Sequence, residues 1–190
     1  PPIEKFMSRM RALGVGDGHQ IVVYDGAGIM SAPRVWWLFK LMGQENVAVL
    51  DGGMPKWLAE GRPVEDMPPI PRDRHMTVRF QNHLVRDVTQ VAHASKLGMP
   101  QIVDARSAER FRGEAPEPHI PKSRNVPFGS LLNDDKTLKS VDETRAIFEA
   151  AGVDLGQPVI TSCGSGVTAA VLALALERLG HSDWALYDGS

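Results

Sequence analysis

A single cysteine, Cys163, in a chain of 190 residues excludes an internal disulfide and any metal site built from several thiolates. A reducing, cytoplasmic compartment is the expectation that follows. The six histidines, His19, His75, His83, His93, His119 and His181, never fall in His-x-x-x-His or Glu-x-x-His spacing. No two of them would share a helix face as ligands, so no metal and no cofactor is expected. Charge of one sign is not in excess: 21 Lys plus Arg face 23 Asp plus Glu, for a net charge of −2, without a cluster of five or more basic residues. That removes the electrostatic footprint of a nucleic-acid or anionic-membrane partner. Long apolar runs are missing too, because the stretch Gly164 to Leu176 falls well short of the ~20 apolar residues that span a bilayer. Pro1-Pro2-Ile3 opens the chain without a basic or apolar leader, so a signal or transit peptide is not expected.

Hydrophobic residues make up 43% and charged residues 23%, proportions that supply a buried core and exclude a disordered or low-complexity chain. Two segments are similar to each other: Gln20-Ile-Val-Val-Tyr-Asp25-Gly26-Ala27-Gly28-Ile29 and Pro158-Val-Ile-Thr-Ser-Cys163-Gly164-Ser165-Gly166-Val167. Each runs on into an apolar helical pattern, a glycine, a short β-branched run and Asp-Gly, at an offset of 138 before the helix and 137 after it. Solenoid repeats are only about 20–50 residues long, so this spacing indicates duplicated domains. Strands are predicted at 21–24, 46–50, 158–162 and 184–187, alternating with helices near 31–42 and 167–179, an order that makes parallel sheets. The second unit adds predicted strands at 77–80 and 101–105 and helices near 88–97 and 140–151, the last opened by a Ser140/Glu143 capping box. Residues 63–76 hold four Pro and five charged residues and read as an extended linker between a domain at 1–62 and one at 77–190. The first domain lacks a counterpart to 77–130. It is therefore expected to be incomplete, with further sequence upstream, and the end at Asp188-Gly189-Ser190 looks cut.

Cys163 closes a β-branched strand and precedes Gly164-Ser165-Gly166, beyond which Val167-Thr168-Ala169-Ala170 opens an Ala/Leu-rich helix. Two glycines let successive N–H groups turn into one concavity, and the helix N-terminus adds partial positive charge beneath it. Such a nest stabilises an anion, here the cysteine's own thiolate or a sulfur attached to it. A buried, inert cysteine is the alternative. A Cys-based phosphatase would need an Arg six positions after the Cys, where this chain has Ala169, and a phosphate-binding Gly-Lys-Ser/Thr is also missing.

Cys163-Gly164-Ser165-Gly166-Val167-Thr168-Ala169, with Tyr187-Asp188-Gly189-Ser190 after the helix, closely resembles the active-site loop of the rhodanese superfamily, in particular its two-domain 3-mercaptopyruvate sulfurtransferases. Asp104-Ala-Arg-Ser-Ala-Glu-Arg110-Phe-Arg-Gly113 and Pro116-Glu-Pro118 resemble that family's substrate-arginine segment. Ser31-Ala-Pro-Arg-Val-Trp-Trp37 with Asp51-Gly-Gly resembles its amino-terminal domain. The resemblance implies an α/β protein of tandem rhodanese-like domains, each a parallel sheet flanked by helices, with only the second catalytic. Asp25 stands where the repeat aligns with Cys163, and a carboxylate there suits a helix N-terminus but cannot carry sulfane sulfur.

Carried over by position, the resemblance makes Cys163 the nucleophile that becomes a persulfide. The loop Gly164, Ser165, Gly166, Val167 and Thr168 would stabilise that persulfide, Ser165 and Thr168 would offer hydroxyls to donor or sulfur, and Arg110 would bind the donor's carboxylate. Arg106 and Arg112 read as structural or solvated, and His119 as a hydrogen-bonded turn residue. Family members that prefer thiosulfate carry a basic pair after the Cys. Gly164 and Ser165 therefore favour the 3-mercaptopyruvate monoanion over the thiosulfate dianion. The implied acceptor is cyanide or a thiol such as thioredoxin or glutathione. A thiosulfate sulfurtransferase and a non-catalytic sulfide-carrier or interaction module are the alternatives.

Overall fold

A computed structural model describes residues 2–113 and 118–189. The first unit runs through helix α1 (Ile3–Ala12), strand β1 (Ile21–Val23), α2 (Ala32–Leu41), β2 (Val47–Val49) and α3 (Gly53–Ala59). β1 and β2 pair in parallel, Ile21 opposite Val47 and Val23 opposite Val49, because α2 carries the chain back across the sheet between them. The second unit runs through β3 (Val85–Arg86), α4 (Val88–Leu97), β4 (Gln101–Asp104), α5 (Ala108–Phe111), β5 (Arg124–Asn125), α6 (Val141–Ala150), β6 (Val159–Ser162), α7 (Ala169–Arg178) and β7 (Trp184–Tyr187). Its five strands form one parallel sheet in the order β3-β7-β6-β4-β5. The predicted α/β architecture of parallel sheets flanked by helices is what the chain adopts.

Local chemistry accounts for the boundaries. The Asp87 carboxylate accepts from the Gln90 amide while the Gln90 side chain accepts from Asp87 N–H, so both donors at the start of α4 are satisfied. Ser140 and Glu143 do the same for α6, as their spacing predicts. All four residues of β6 are buried, as in a strand covered on both faces, and Val159-Ile-Thr-Ser162 accordingly shows no apolar/polar alternation.

One predicted strand is not formed. Residues 77–80 pair with no sheet, because their backbone is taken up by the first unit: Arg79 N–H donates to Met42 O at 2.9 Å, and Thr77 N–H donates to the Asp17 carboxylate at 3.0 Å. The sheet of the second unit starts instead at Val85. Residues 63–76 carry no helix or strand, and they are strapped down. The Trp57 indole donates to Pro63 O at 2.9 Å, Asp17 N–H donates to His75 O at 2.9 Å, and Met76 is buried. Helices α1, α3 and α5 and the short strand β5 are additional to the predicted elements.

The two units share a continuous core. Helix α7 packs against its own sheet on one side and against α2 on the other, so every residue from Ala169 to Leu176 is buried. Trp36 stacks on Trp184 with ring centroids 5.8 Å apart, and the Trp37 indole, fully buried, donates to Leu84 O at 3.0 Å. Residues of both units, from Phe6 and Ile29 to Leu176 and Leu186, belong to one hydrophobic cluster. Among the described residues no helix is long and apolar enough to cross a membrane.

Candidate active site

The strand order reverses at the centre of the second sheet. From β4 the chain moves outward to its neighbour β5, and from β6 it moves the opposite way to β7, while β4 and β6 lie side by side. Loops that leave the carboxyl ends of strands at such a reversal diverge, and this is where ligands bind in open α/β sheets. Ser162 pairs with Asp104 across this junction, and Ala105 N–H closes the ladder on Ser162 O at 2.8 Å. Cys163 is the next residue after β6. Arg110 lies beyond β4, in the short helix α5, whose first turn is capped by the Ser107 side chain.

Cys163 is 7% exposed, and its Sγ accepts the Gly166 N–H at 3.0 Å. Burial pushes the thiol up, but hydrogen bonds from the Thr168 hydroxyl and from the Ser165, Ala169 and Gly166 amides outweigh it and hold the thiol below its ordinary value of 9.0. Gly166 makes this geometry possible with a left-handed φ of 77°. The predicted loop thus brings the Ser165 and Gly166 amides and the Thr168 hydroxyl to the sulfur. Ala169, the first residue of α7 and outside the predicted set, adds a further amide. Thr168 puts no side-chain cap on α7, because its hydroxyl serves the thiol instead.

Arg110 meets the loop from α5. A Cβ built on Gly164 would lie 3.1 Å from the Arg110 guanidinium, which places that guanidinium directly against the loop. Gly164 and Ser165 are exposed beside it, and Val167 and Thr168 are half-buried. Two neighbouring interactions fix the segment that carries Arg110. Beneath it, Arg106 and Asp104 form a buried ion pair at 2.8 Å, and Arg106 also donates to Pro118 O at 3.3 Å. Beyond it, His119 stacks on Phe111 at 4.1 Å and its Nδ1 lies 2.7 Å from Phe111 O. Pro116 and Glu117 of the Pro-Glu-Pro motif, and Ser190 of the Asp-Gly-Ser motif, lie outside the described residues.

The repeat of this loop in the first unit carries its own anion. The Asp25 carboxylate accepts from the amides of Ala27, Met30, Ser31 and Ala32 at 2.8 to 3.0 Å. Partial burial raises its pKa, and those four bonds more than reverse the effect, leaving it below 3.8. Where Cys163 offers sulfur, Asp25 fills the equivalent amide cradle with oxygen.

The rhodanese-like domain family matches residues 2–60 and 87–190. The chain belongs to the rhodanese family. Thiosulfate/3-mercaptopyruvate sulfurtransferase 1, mitochondrial, of Arabidopsis thaliana is 38% identical over 100% of this chain and 58% of its own length. The thiosulfate sulfurtransferase of Bos taurus is 40% identical, over 97% of this chain and 66% of its own. The rhodanese-fold crystal structure of SseA from Escherichia coli, a 3-mercaptopyruvate sulfotransferase, superposes with a TM-score of 0.93 at 40% identity, covering 100% of this chain and 73% of that one. The chain thus spans little more than half the length of the Arabidopsis relative. Two rhodanese segments in one chain agree with the tandem organisation read from the internal repeat.

Proposed function

We propose that this chain carries the catalytic loop of a sulfurtransferase that moves sulfane sulfur from 3-mercaptopyruvate through a Cys163 persulfide to a thiol or cyanide. The observation that supports this most directly is the ring of hydrogen-bond donors around Cys163 Sγ, which favours an anionic sulfur. In the first half-reaction the thiolate attacks the donor sulfur and an S–S bond forms. The C–S bond breaks, and its electron pair leaves with pyruvate as the enolate, which then takes a proton. In the second, an acceptor thiolate or cyanide attacks the outer sulfur and returns Cys163 as thiolate. Arg110, beside the same loop, suits a bidentate grip on the donor's carboxylate. Ser165 and Thr168 complete the substrate-facing set.

Named relatives use thiosulfate, 3-mercaptopyruvate or both, so donor choice rests on the loop itself. Gly164 and Ser165 place no positive charge beside the sulfur, which favours the monoanionic donor. The division into a non-catalytic domain at 1–62, a linker at 63–76 and a catalytic domain at 77–190 belongs to the same reading. So do a cytoplasmic setting and a small thiol or thioredoxin-like acceptor.

The test is sulfur transfer to cyanide, comparing 3-mercaptopyruvate with thiosulfate on the wild-type chain and on Cys163→Ser. Turnover should follow double-displacement kinetics, favour 3-mercaptopyruvate and vanish in the variant. Preference for thiosulfate would overturn the donor assignment. A Cys163 persulfide seen by intact mass without turnover would replace the enzyme reading with the carrier reading.

A further inference from the structure

Arg34 belongs to the first unit, yet its guanidinium ends on the catalytic loop of the second. Nη2 donates to Asp188 Oδ1 at 2.7 Å, and Nη1 donates to the Gly166 carbonyl at 3.4 Å, a longer and weaker contact. The guanidinium lies over the Trp37 ring at 4.4 Å, and Trp37 is itself tied to Leu84 of the second unit. Asp188 is anchored in turn, its N–H donating to Arg86 O at 3.3 Å. A Cβ on Gly166 would lie 3.1 Å from Arg34 Nη1 and 3.5 Å from Asp188 Oδ1, so the pair covers the outer side of this residue. Its inner side is the N–H that points at Cys163 Sγ. Gly166 therefore stands between the ion pair and the sulfur.

We propose that Arg34 is a positioning residue for the reaction: with Asp188 it clamps Gly166 so that the loop amides converge on the sulfur of Cys163, which makes the first unit part of the catalytic apparatus. This rests on the sulfur-transfer reading of Cys163. Asp188 neutralises most of the Arg34 charge, so the effect works through loop geometry rather than through a field at the sulfur. Among the described residues, the charged side chains placed against the loop are Arg34 from α2, Asp188 after β7 and Arg110 from α5.

The test uses Arg34→Ala, Arg34→Lys and Asp188→Asn, each measured for the pH midpoint of Cys163 alkylation by iodoacetamide and for kcat and KM with 3-mercaptopyruvate. Arg34→Ala should move the midpoint upward and lower kcat about tenfold (about 1.4 kcal/mol), with KM changed less than twofold. Arg34→Lys should recover part of both, and Asp188→Asn should shift them in the same direction as Arg34→Ala. A lower melting temperature with wild-type midpoint and kcat would overturn the proposal, because the ion pair would then be only a fastening. Should Arg34→Ala fail to fold, the half-exposed Asp188→Asn carries the same readout, and a wild-type midpoint in it would count equally against the clamp. If the wild-type chain shows no turnover, the sulfur-transfer reading fails, while the alkylation midpoints still decide whether Arg34 sets the loop.

Discussion

Arg110 reaches the sulfur-bearing loop from a helix of a single turn, so its placement depends on what holds that turn. The Ser107 cap, the buried Arg106–Asp104 pair and the His119–Phe111 stack all converge on residues 104–111. A charge-assisted bidentate contact contributes about 1.5–3 kcal/mol. Arg110→Ala is accordingly expected to raise the apparent KM for 3-mercaptopyruvate at least tenfold in initial-rate assays, with a smaller change in kcat. An unchanged KM would remove Arg110 from the donor site. Cys163 is marked in the sequence by the glycine loop that follows it, whereas Arg110 is marked only by the resemblance of its segment to the family's substrate-arginine motif. The Ala169 amide is not marked, since a helix's first N–H has no side-chain signature. Arg34 and Asp188 are 154 residues apart, and nothing local marks two such residues as partners.

At the scale of elements, the two cradles test what an amide nest does for an anion. Four N–H groups hold Asp25 in the loop that leads into α2, and its folded-state pKa lies below 3.8. A depressed carboxyl stabilises the fold above its unfolded pKa and loses that contribution as pH falls through the folded value. Asp25→Asn should therefore lower stability at pH 7 in urea denaturation, by no more than about 1 kcal/mol, because solvent screens the charge and Asn keeps one acceptor oxygen. The difference from wild type should shrink as the pH falls below about 4, toward the folded-state pKa. A difference that stays constant over that range would assign the effect to packing instead of charge. Caps and periodicity made other elements legible: the predicted helix at 88–97 matches α4 in both bounds, and the predicted strand at 184–187 matches β7. Helix α1 has its apolar residues Ile3, Phe6, Met7 and Met10 at helical spacing and was open to the same reasoning. Residues 77–80 misled because β-branched Thr77 and Val78 favour strands, whereas here the segment hydrogen-bonds to the end of α2 and to Asp17 instead of to a neighbouring strand.

For the whole molecule, the shared core predicts shared unfolding. Trp36 from α2 is 4% exposed and stacks on Trp184 from β7, so each unit completes the packing of the other. Urea unfolding followed by far-UV circular dichroism and by Trp fluorescence should give coincident single transitions. Trp36→Ala should lower stability by about 3–5 kcal/mol while leaving the two probes coincident. Two separated transitions in the wild-type chain would show that the units fold independently. Helix α7, buried between the sheet and α2, has a further consequence for how such a chain can change over generations. Four of its eight buried residues, Ala169, Ala170, Ala173 and Ala175, are already close to the smallest side chain available. Any enlargement there forces overlap costing about 1–3 kcal/mol unless a facing side chain shrinks in the same lineage. Sequence drift in this helix is therefore bound to drift in the surfaces that enclose it, and the distance between the two units is an inherited quantity written in alanine.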